Sequence, residues 1–151
     1  MNNSITFLLV DDDIDDTDLF QDVLKDIDPS LHFISAVNGE EALELLRNGN
    51  GSLPNLIFLD LNMPIMGGKQ CLQELKNDDK LKGIPVIIYT TSSHSKDIEQ
   101  TIQGGAVCFI TKPVSVRELK NILASVADNI HGDLEKTLRE LSGTVDTFIV
   151  C

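Results

Sequence analysis

Charged and hydroxylated side chains stand at the ends of four of the five apolar runs in this sequence. Acid follows the first and third runs, two threonines follow the fourth, and a lysine with a proline comes after the fifth: Asp11, Asp12 and Asp13; Asp60; Thr90 and Thr91; Lys112 and Pro113. If the runs are parallel strands, their carboxyl ends meet at one edge of a sheet. These side chains then converge on a single site.

Such a site favours phosphoryl chemistry. Two or three carboxylates held close together repel each other, and a bound divalent cation relieves the repulsion. Ligands that are all oxygen indicate Mg²⁺, or a similar hard ion such as Mn²⁺. The hydroxyl of Thr90 and the ammonium of Lys112 suit phosphoryl oxygens. Asp60 stands alone at its strand end and is therefore the predicted nucleophile toward a phosphoryl donor.

The elements that must position these residues alternate regularly. Short apolar runs predict strands at 5–10, 31–37, 56–59, 85–89 and 107–110, and apolar residues at helical spacing predict a helix after each. Asn38 with Glu41, and Ser115 with Glu118, have the spacing of capping boxes. The alternation indicates an α/β fold, a doubly wound parallel sheet with helices on both faces.

Composition limits the class of protein. The 151 residues suit one domain, and 24 acidic against 12 basic residues give a net charge of -12. A surface of that sign disfavours nucleic acid and anionic membranes as partners, and leaves proteins and cations. The sequence has neither a transmembrane run nor the basic start of a signal peptide, so we expect a cytoplasmic protein.

The cysteines and histidines lack the spacing of metal sites. Cys71, Cys108 and Cys151 are odd in number and widely separated, which predicts neither a disulfide framework nor a zinc site. The first two are expected as small buried residues. The three histidines share no ligand spacing and are expected to be structural or on the surface.

The end of the chain carries a further apolar pattern. Residues 133–151 contain leucines at helical spacing and then the group Phe148, Ile149 and Val150. We therefore expect one domain at 4–130 and an extension at 131–151, with a short helix that packs on the domain or on a second copy in a homodimer. Fraying is the alternative, although exposed apolar residues disfavour it.

Four motifs in order resemble the receiver domain of two-component response regulators. They are Val10-Asp11-Asp12, Leu59-Asp60-Leu61-Asn62-Met63-Pro64, Tyr89-Thr90-Thr91 and Thr111-Lys112-Pro113, and the similarity covers about residues 4–130. The resemblance implies the flavodoxin-like fold with five parallel strands in the order 2-1-3-4-5.

The resemblance also implies roles for individual residues. Asp60 is the expected phosphoacceptor, and Asp11, Asp12, Asp60 and the backbone carbonyl of Asn62 the expected metal ligands. Phosphoryl-binding and switch roles fall to Thr90, Thr91, Lys112 and Phe109. Phe109 holds the aromatic position that turns inward on activation, Pro113 resembles the cis-proline turn of the family, and Asn62 and Ser92 tune dephosphorylation.

The expected function is that of a stand-alone receiver. About twenty residues follow the last predicted helix of the domain, too few for an ordinary output domain. A histidine kinase or phosphotransfer protein would phosphorylate Asp60, and the signal would pass on through contacts with an unknown downstream protein. A phosphate shuttle or sink in a phosphorelay is an alternative that uses the same chemistry.

Two rivals come from other classes. A phosphatase of the haloacid dehalogenase type needs an acid two residues after its nucleophile, and here that residue is Asn62. An FMN-binding flavodoxin needs a phosphate loop after the first strand, and here that loop carries three consecutive aspartates. Both departures favour a phosphoacceptor that is not an enzyme beyond its own phosphorylation and dephosphorylation.

Overall fold

A computed structural model describes residues 4–49 and 52–151. Strands and helices alternate along the chain, and each predicted strand is present within a residue or two of its expected bounds. The strands are β1 (Thr6–Val10), β2 (His32–Ala36), β3 (Leu56–Leu59), β4 (Val86–Thr90), β5 (Cys108–Thr111) and β6 (Ile149–Val150). The helices are α1 (Ile14–Ile27), α2 (Gly39–Asn48), α3 (Gly68–Lys76), α4 (Ser95–Gln103), α5 (Val116–Asp128) and α6 (Leu134–Leu141).

The strands form one sheet in the order β2-β1-β3-β4-β5-β6. The first five are parallel, which confirms the predicted order 2-1-3-4-5. The sixth strand, which was not predicted, runs antiparallel to β5. Strand order reverses at β1, so the crevice for a ligand lies at the carboxyl ends of β1 and β3.

Each central strand is buried on both faces because its alternate side chains enter two separate cores. Phe7 and Leu9 of β1 pack with α1, α5 and α6, whereas Leu8 and Val10 pack with α2, α3 and α4. Successive side chains of a strand point to opposite faces, so an uninterrupted apolar run is the pattern this position requires. The result is a rigid sheet whose carboxyl edge holds the polar residues.

Polar side chains cap most of the helices. The Asn38 side chain accepts a hydrogen bond from Glu41 N at 2.8 Å, and the Glu41 carboxylate accepts one from Val37 N at 3.1 Å. Ser115 likewise accepts from Glu118 N at 3.3 Å. The predicted capping box at Ser115 is only half formed, however, because the Glu118 carboxylate binds elsewhere.

The Glu118 carboxylate holds the end of the chain. It accepts hydrogen bonds from Asp146 N at 3.0 Å and Thr147 N at 2.9 Å, and a further one from the Thr147 hydroxyl. These bonds lower the pKa of Glu118, the Thr147 hydroxyl contributing most. With α6 packed beside α5, the extension lies on its own domain.

The prediction that the cysteines form no disulfide was wrong. Cys108 in β5 and Cys151 form one across 43 residues of sequence. Cys71 and Cys108 are both buried, as expected, and Cys71 remains a free thiol. Sequence spacing could not reveal the pair, because the contact depends on the antiparallel return of β6 along β5. Among the described residues, no helix combines the length and the apolar composition that a membrane span needs.

Loss of this disulfide should destabilise the fold. Because the bond closes a loop of 43 residues, Cys151→Ser should lower the free energy of unfolding by about 2 to 4 kcal/mol. Thermal melting of the oxidised protein and the variant measures the difference. A reducing agent should lower the melting temperature of the wild type and leave that of Cys151→Ser unchanged; equal melting of oxidised wild type and variant would contradict the bond.

Candidate functional site

The backbone carries each candidate residue to the same edge of the sheet. Ladder hydrogen bonds continue one residue beyond the strands, from Asp60 N to Val10 O at 2.9 Å and from Lys112 N to Thr90 O at 2.7 Å. Asp11 N is held in the same way by Ala36 O at 2.9 Å. The backbone positions of these candidate residues are therefore fixed by hydrogen bonds of the sheet.

Asp60 is nearly buried, with 6% of its surface exposed. Its Oδ1 accepts a hydrogen bond from Leu61 N at 2.8 Å, and its Oδ2 lies 4.0 Å from Lys112 Nζ. One carboxylate oxygen is thus oriented by the backbone, and the other faces the lysine. This arrangement suits a nucleophile whose reacting oxygen must be held in place.

The turn after Asp60 packs closely against Gly68, the first residue of α3. Gly68 N donates to Leu61 O at 2.9 Å, and a Cβ at Gly68 would lie 2.2 Å from Asp60 O. Only a glycine allows the two backbones to approach so closely. The second glycine of the Gly67-Gly68 pair therefore has a steric role in this turn.

Three carboxylates form an acidic cluster at the edge. Ligand atoms of Asp11, Asp12 and Asp60 lie within 4.8 Å of one another. Asp11 Oδ1 accepts from Asp13 N at 2.9 Å, whereas its buried Oδ2 accepts no hydrogen bond. Burial raises the pKa of Asp11, and Lys112 offsets only part of that effect.

The cluster fits a hard divalent cation. It offers oxygen ligands only, from three carboxylates, and the buried Oδ2 of Asp11 has the ammonium of Lys112 at 2.7 Å but no aligned hydrogen-bond donor. The donor set therefore suits Mg²⁺ or Mn²⁺. Asp13, expected with the others, does not join them: its carboxylate caps α1 by accepting from Asp16 N at 3.1 Å.

Lys112 lies among carboxylates from two elements. Its Nζ donates a hydrogen bond to Asp16 Oδ2 at 2.7 Å and pairs with Asp11 Oδ2, also at 2.7 Å but without hydrogen-bond alignment. Burial lowers the pKa of Lys112, but the bonds to Asp11 and Asp16 outweigh burial, so the pKa is raised and the ammonium stays charged. Its Nζ also lies 5.9 Å from the centre of the Tyr89 ring.

The threonines after β4 differ in environment. Thr90 is fully buried, and its hydroxyl has no hydrogen-bond partner, whereas Thr91 is exposed in the loop that follows. A buried hydroxyl without a partner is costly, so Thr90 Oγ1 is suited to an incoming acceptor. Asn62 is exposed two residues after Asp60, and the predicted role of its carbonyl stays a prediction.

Two expectations drawn from the resemblance differ from the structure. Phe109 is fully buried among the residues beneath α3 and α4, so it is inward before any phosphorylation. The switch role of Phe109 stays a prediction. The Lys112–Pro113 peptide bond is trans, not cis as the resemblance implied.

Two features of the site were missed in the sequence. Asp16 is one of nine aspartates in the first 28 residues, and its contact with Lys112 spans 96 positions. The signal for Asp16 in the sequence was its place one turn after Asp12, at the start of the helix that leaves the sheet edge.

The second missed feature is Ile65, whose φ of 69° is unusual for a β-branched residue. Met66 N donates to Pro64 O at 2.7 Å, which closes a tight turn around Ile65.

Comparisons with known proteins agree with this geometry. A family model, the response regulator receiver domain, matches residues 7–124. The response regulator Rcp1 of Synechocystis sp. is 33% identical over 123 residues, which cover 79% of this chain and 84% of Rcp1. The polar-differentiation response regulator DivK of Brucella anthropi is 34% identical over 122 residues, covering 80% of this chain and 95% of DivK.

This chain belongs to the response regulator receiver family. The solved structure of the phosphorylated cyanobacterial phytochrome response regulator RcpA matches this receiver with a TM-score of 0.77 and 32% identity, over 83% of this chain and 92% of RcpA. The Mn²⁺-bound form of Rcp1 matches with a TM-score of 0.73 and 32% identity, over 82% and 92%. Receivers of this family are signalling proteins without a dedicated catalytic activity.

Replacement of the strained isoleucine should stabilise the receiver. Asparagine tolerates a positive φ, so Ile65→Asn should raise the free energy of unfolding by about 1 kcal/mol. Chemical denaturation measures the change. Val114→Asn is the matched control, because Val114 is fully exposed and has no positive φ, so the substitution should have almost no effect. A gain as large in Val114→Asn would exclude strain at Ile65 as the cause.

A side chain at Gly68 should have the opposite effect. Because its Cβ would meet the backbone of Asp60, Gly68→Ala should lower the free energy of unfolding by about 1 to 3 kcal/mol. Gly83→Ala serves as the control, since a Cβ at Gly83 meets nothing within 4 Å. Equal stability of the two variants would show that the turn after Asp60 adapts to a side chain.

Proposed function

We propose that Asp60 is the phosphoacceptor of this receiver and that a histidine kinase or a histidine phosphotransfer protein supplies the phosphoryl group. The observation that carries the proposal is that Asp60 belongs to the acidic cluster and has its Oδ2 4.0 Å from Lys112 Nζ. The other carboxylate oxygen is held by the backbone. The site thus presents one oriented oxygen to an incoming phosphorus atom.

The transfer is a substitution at phosphorus. Asp60 Oδ2 forms a bond to the phosphorus of a phosphohistidine, the bond from phosphorus to the imidazole nitrogen breaks, and the ring leaves with the electron pair and takes up a proton. Asp11, Asp12, Asp60 and the Asn62 carbonyl would hold an Mg²⁺ or Mn²⁺ ion, which would supply positive charge for the phosphoryl oxygens. Lys112 offers its ammonium to the same oxygens.

Thr90 provides the response to the new group. Its buried hydroxyl has no partner among the described residues, and a phosphoryl oxygen on Asp60 is an acceptor that would satisfy it. Phe109 is already inward, so movement begins at Thr90 and the exposed Thr91 rather than with rotation of the ring. The signal passes from there to a downstream protein through contacts at the surface.

The proposal extends to the class of protein, its cellular compartment and the state of its disulfide. The receiver acts as a phosphoacceptor rather than an enzyme with its own substrate, and Asn62 in place of an acid supports this. We place it in the cytoplasm as a stand-alone receiver of 4–130 with its extension at 131–151. In that reducing compartment the Cys108–Cys151 bond would be open, whereas oxidising conditions would close it.

The experiment uses acetyl phosphate as the donor with Mg²⁺. Intact mass spectrometry should show one added phosphoryl group on the wild type, none on Asp60→Asn, and none when the metal is chelated. Asp13→Asn is the matched control, because asparagine can still cap α1 and Asp13 lies outside the acidic cluster. Undiminished labelling of Asp60→Asn would place the phosphoryl group elsewhere and refute the assignment.

A further inference from the structure

Lys112 has an anionic partner outside the acidic cluster. Its Nζ donates to Asp16 Oδ2 at 2.7 Å, and Asp16 belongs to α1 rather than to a strand end. We propose that Asp16 is a positioning residue that keeps Lys112 in the site when a divalent cation engages Asp11. The inference rests on the proposed function and adds a residue to its machinery.

Lys112 needs a second partner because the cation and the ammonium would both bind the carboxylate of Asp11. Lys112 Nζ lies 2.7 Å from the buried Oδ2 of Asp11, and the same carboxylate contributes one of its oxygens to the acidic cluster. A divalent cation on that cluster and an ammonium on the same carboxylate would repel each other. Bound metal would therefore weaken the contact between Lys112 and Asp11.

Asp16 is available to Lys112 in that state. Its carboxylate lies outside the cluster and is 35% exposed, whereas the Lys112 side chain is only 11% exposed. Asp16 thus pairs with the ammonium from the solvent side. If this bond were absent, a long flexible side chain next to a metal ion would gain conformational entropy by turning into water.

The position of Asp16 is itself fixed by the fold. Its backbone N–H donates to the Asp13 carboxylate at 3.1 Å, which fixes the first turn of α1. The Tyr89 ring lies 5.9 Å from Lys112 Nζ and packs against Phe20 of the same helix. Lys112 is therefore confined between α1 and the end of the sheet, with Asp60 Oδ2 4.0 Å away.

The chain offers a matched control in the same turn. Asp15 is exposed, is also in the first turn of α1, and forms no ion pair within the described ranges 4–49 and 52–151. Asp15→Asn and Asp16→Asn change the net charge equally and at neighbouring positions. Only the second removes a partner of Lys112.

The first measurement reads the position of Lys112 without any phosphoryl transfer. An amine-reactive acetyl ester labels the full chain with and without saturating Mg²⁺, and peptide mass spectrometry compares Lys112 with Lys82, whose side chain is 58% exposed. With Mg²⁺, Lys112 should react about tenfold faster in Asp16→Asn than in the wild type, as expected for loss of a hydrogen bond between charged groups. Asp15→Asn should behave as the wild type.

A second measurement follows phosphorylation by acetyl phosphate at saturating Mg²⁺. Asp16→Asn should be slower by about tenfold and Asp15→Asn nearly unchanged. Equal labelling of Lys112 in the two variants would overturn the role of Asp16, whatever their phosphorylation rates. If the wild type accepts no phosphoryl group, the proposed function fails, whereas the labelling of Lys112 still decides the role of Asp16.

Discussion

Repulsion among the carboxylates at the end of β1 and β3 is the constraint on which the site depends. Two unit charges 4 Å apart repel by about 4 kcal/mol at an effective dielectric constant of 20, and Asp11, Asp12 and Asp60 bring ligand atoms within 4.8 Å of one another. The fold holds them there because the backbone of Asp11 and Asp60 is bound to neighbouring strands. Lys112 supplies compensating charge, and the net negative surface of the chain makes a cation the natural further partner.

The rest of the sheet keeps these carboxylates close together despite their repulsion. Strands β1, β3 and β4 are buried on both faces, so their ends cannot move to relieve the repulsion without disturbing two cores. Within the part of the chain that the structure describes, the buried side-chain atoms without a hydrogen bond are Asp11 Oδ2 and Thr90 Oγ1. Both lie at the site. Unsatisfied polar groups are normally rare in a folded protein. Asp11 Oδ2 has the ammonium of Lys112 at 2.7 Å as an ionic partner, whereas the Thr90 hydroxyl has none, and a phosphoryl oxygen would satisfy it.

Much of this arrangement could be predicted from local patterns. Apolar runs that stop at Asp11, Asp60, Thr90 and Lys112 predicted the strands, their common edge and the convergence of the side chains. What failed depended on contacts between distant residues. The only local signal for Asp16 is its place one turn after Asp12, and nothing local pairs Cys108 with Cys151. The inward position of Phe109 is likewise set by packing against α3 and α4, which a motif cannot encode.

The unpredicted end of the chain changes the exposed edge of the sheet. Without β6, strand β5 would present unpaired backbone groups along its length, and such an edge invites pairing with another chain. Here Phe109 and Ile110 pair with Val150 and Ile149, and the disulfide from Cys108 together with the carboxylate of Glu118 holds that strand in place. Because β6 has only two residues, its own free edge presents few unpaired backbone groups. The extension therefore supplies a neighbour for β5 from within the chain.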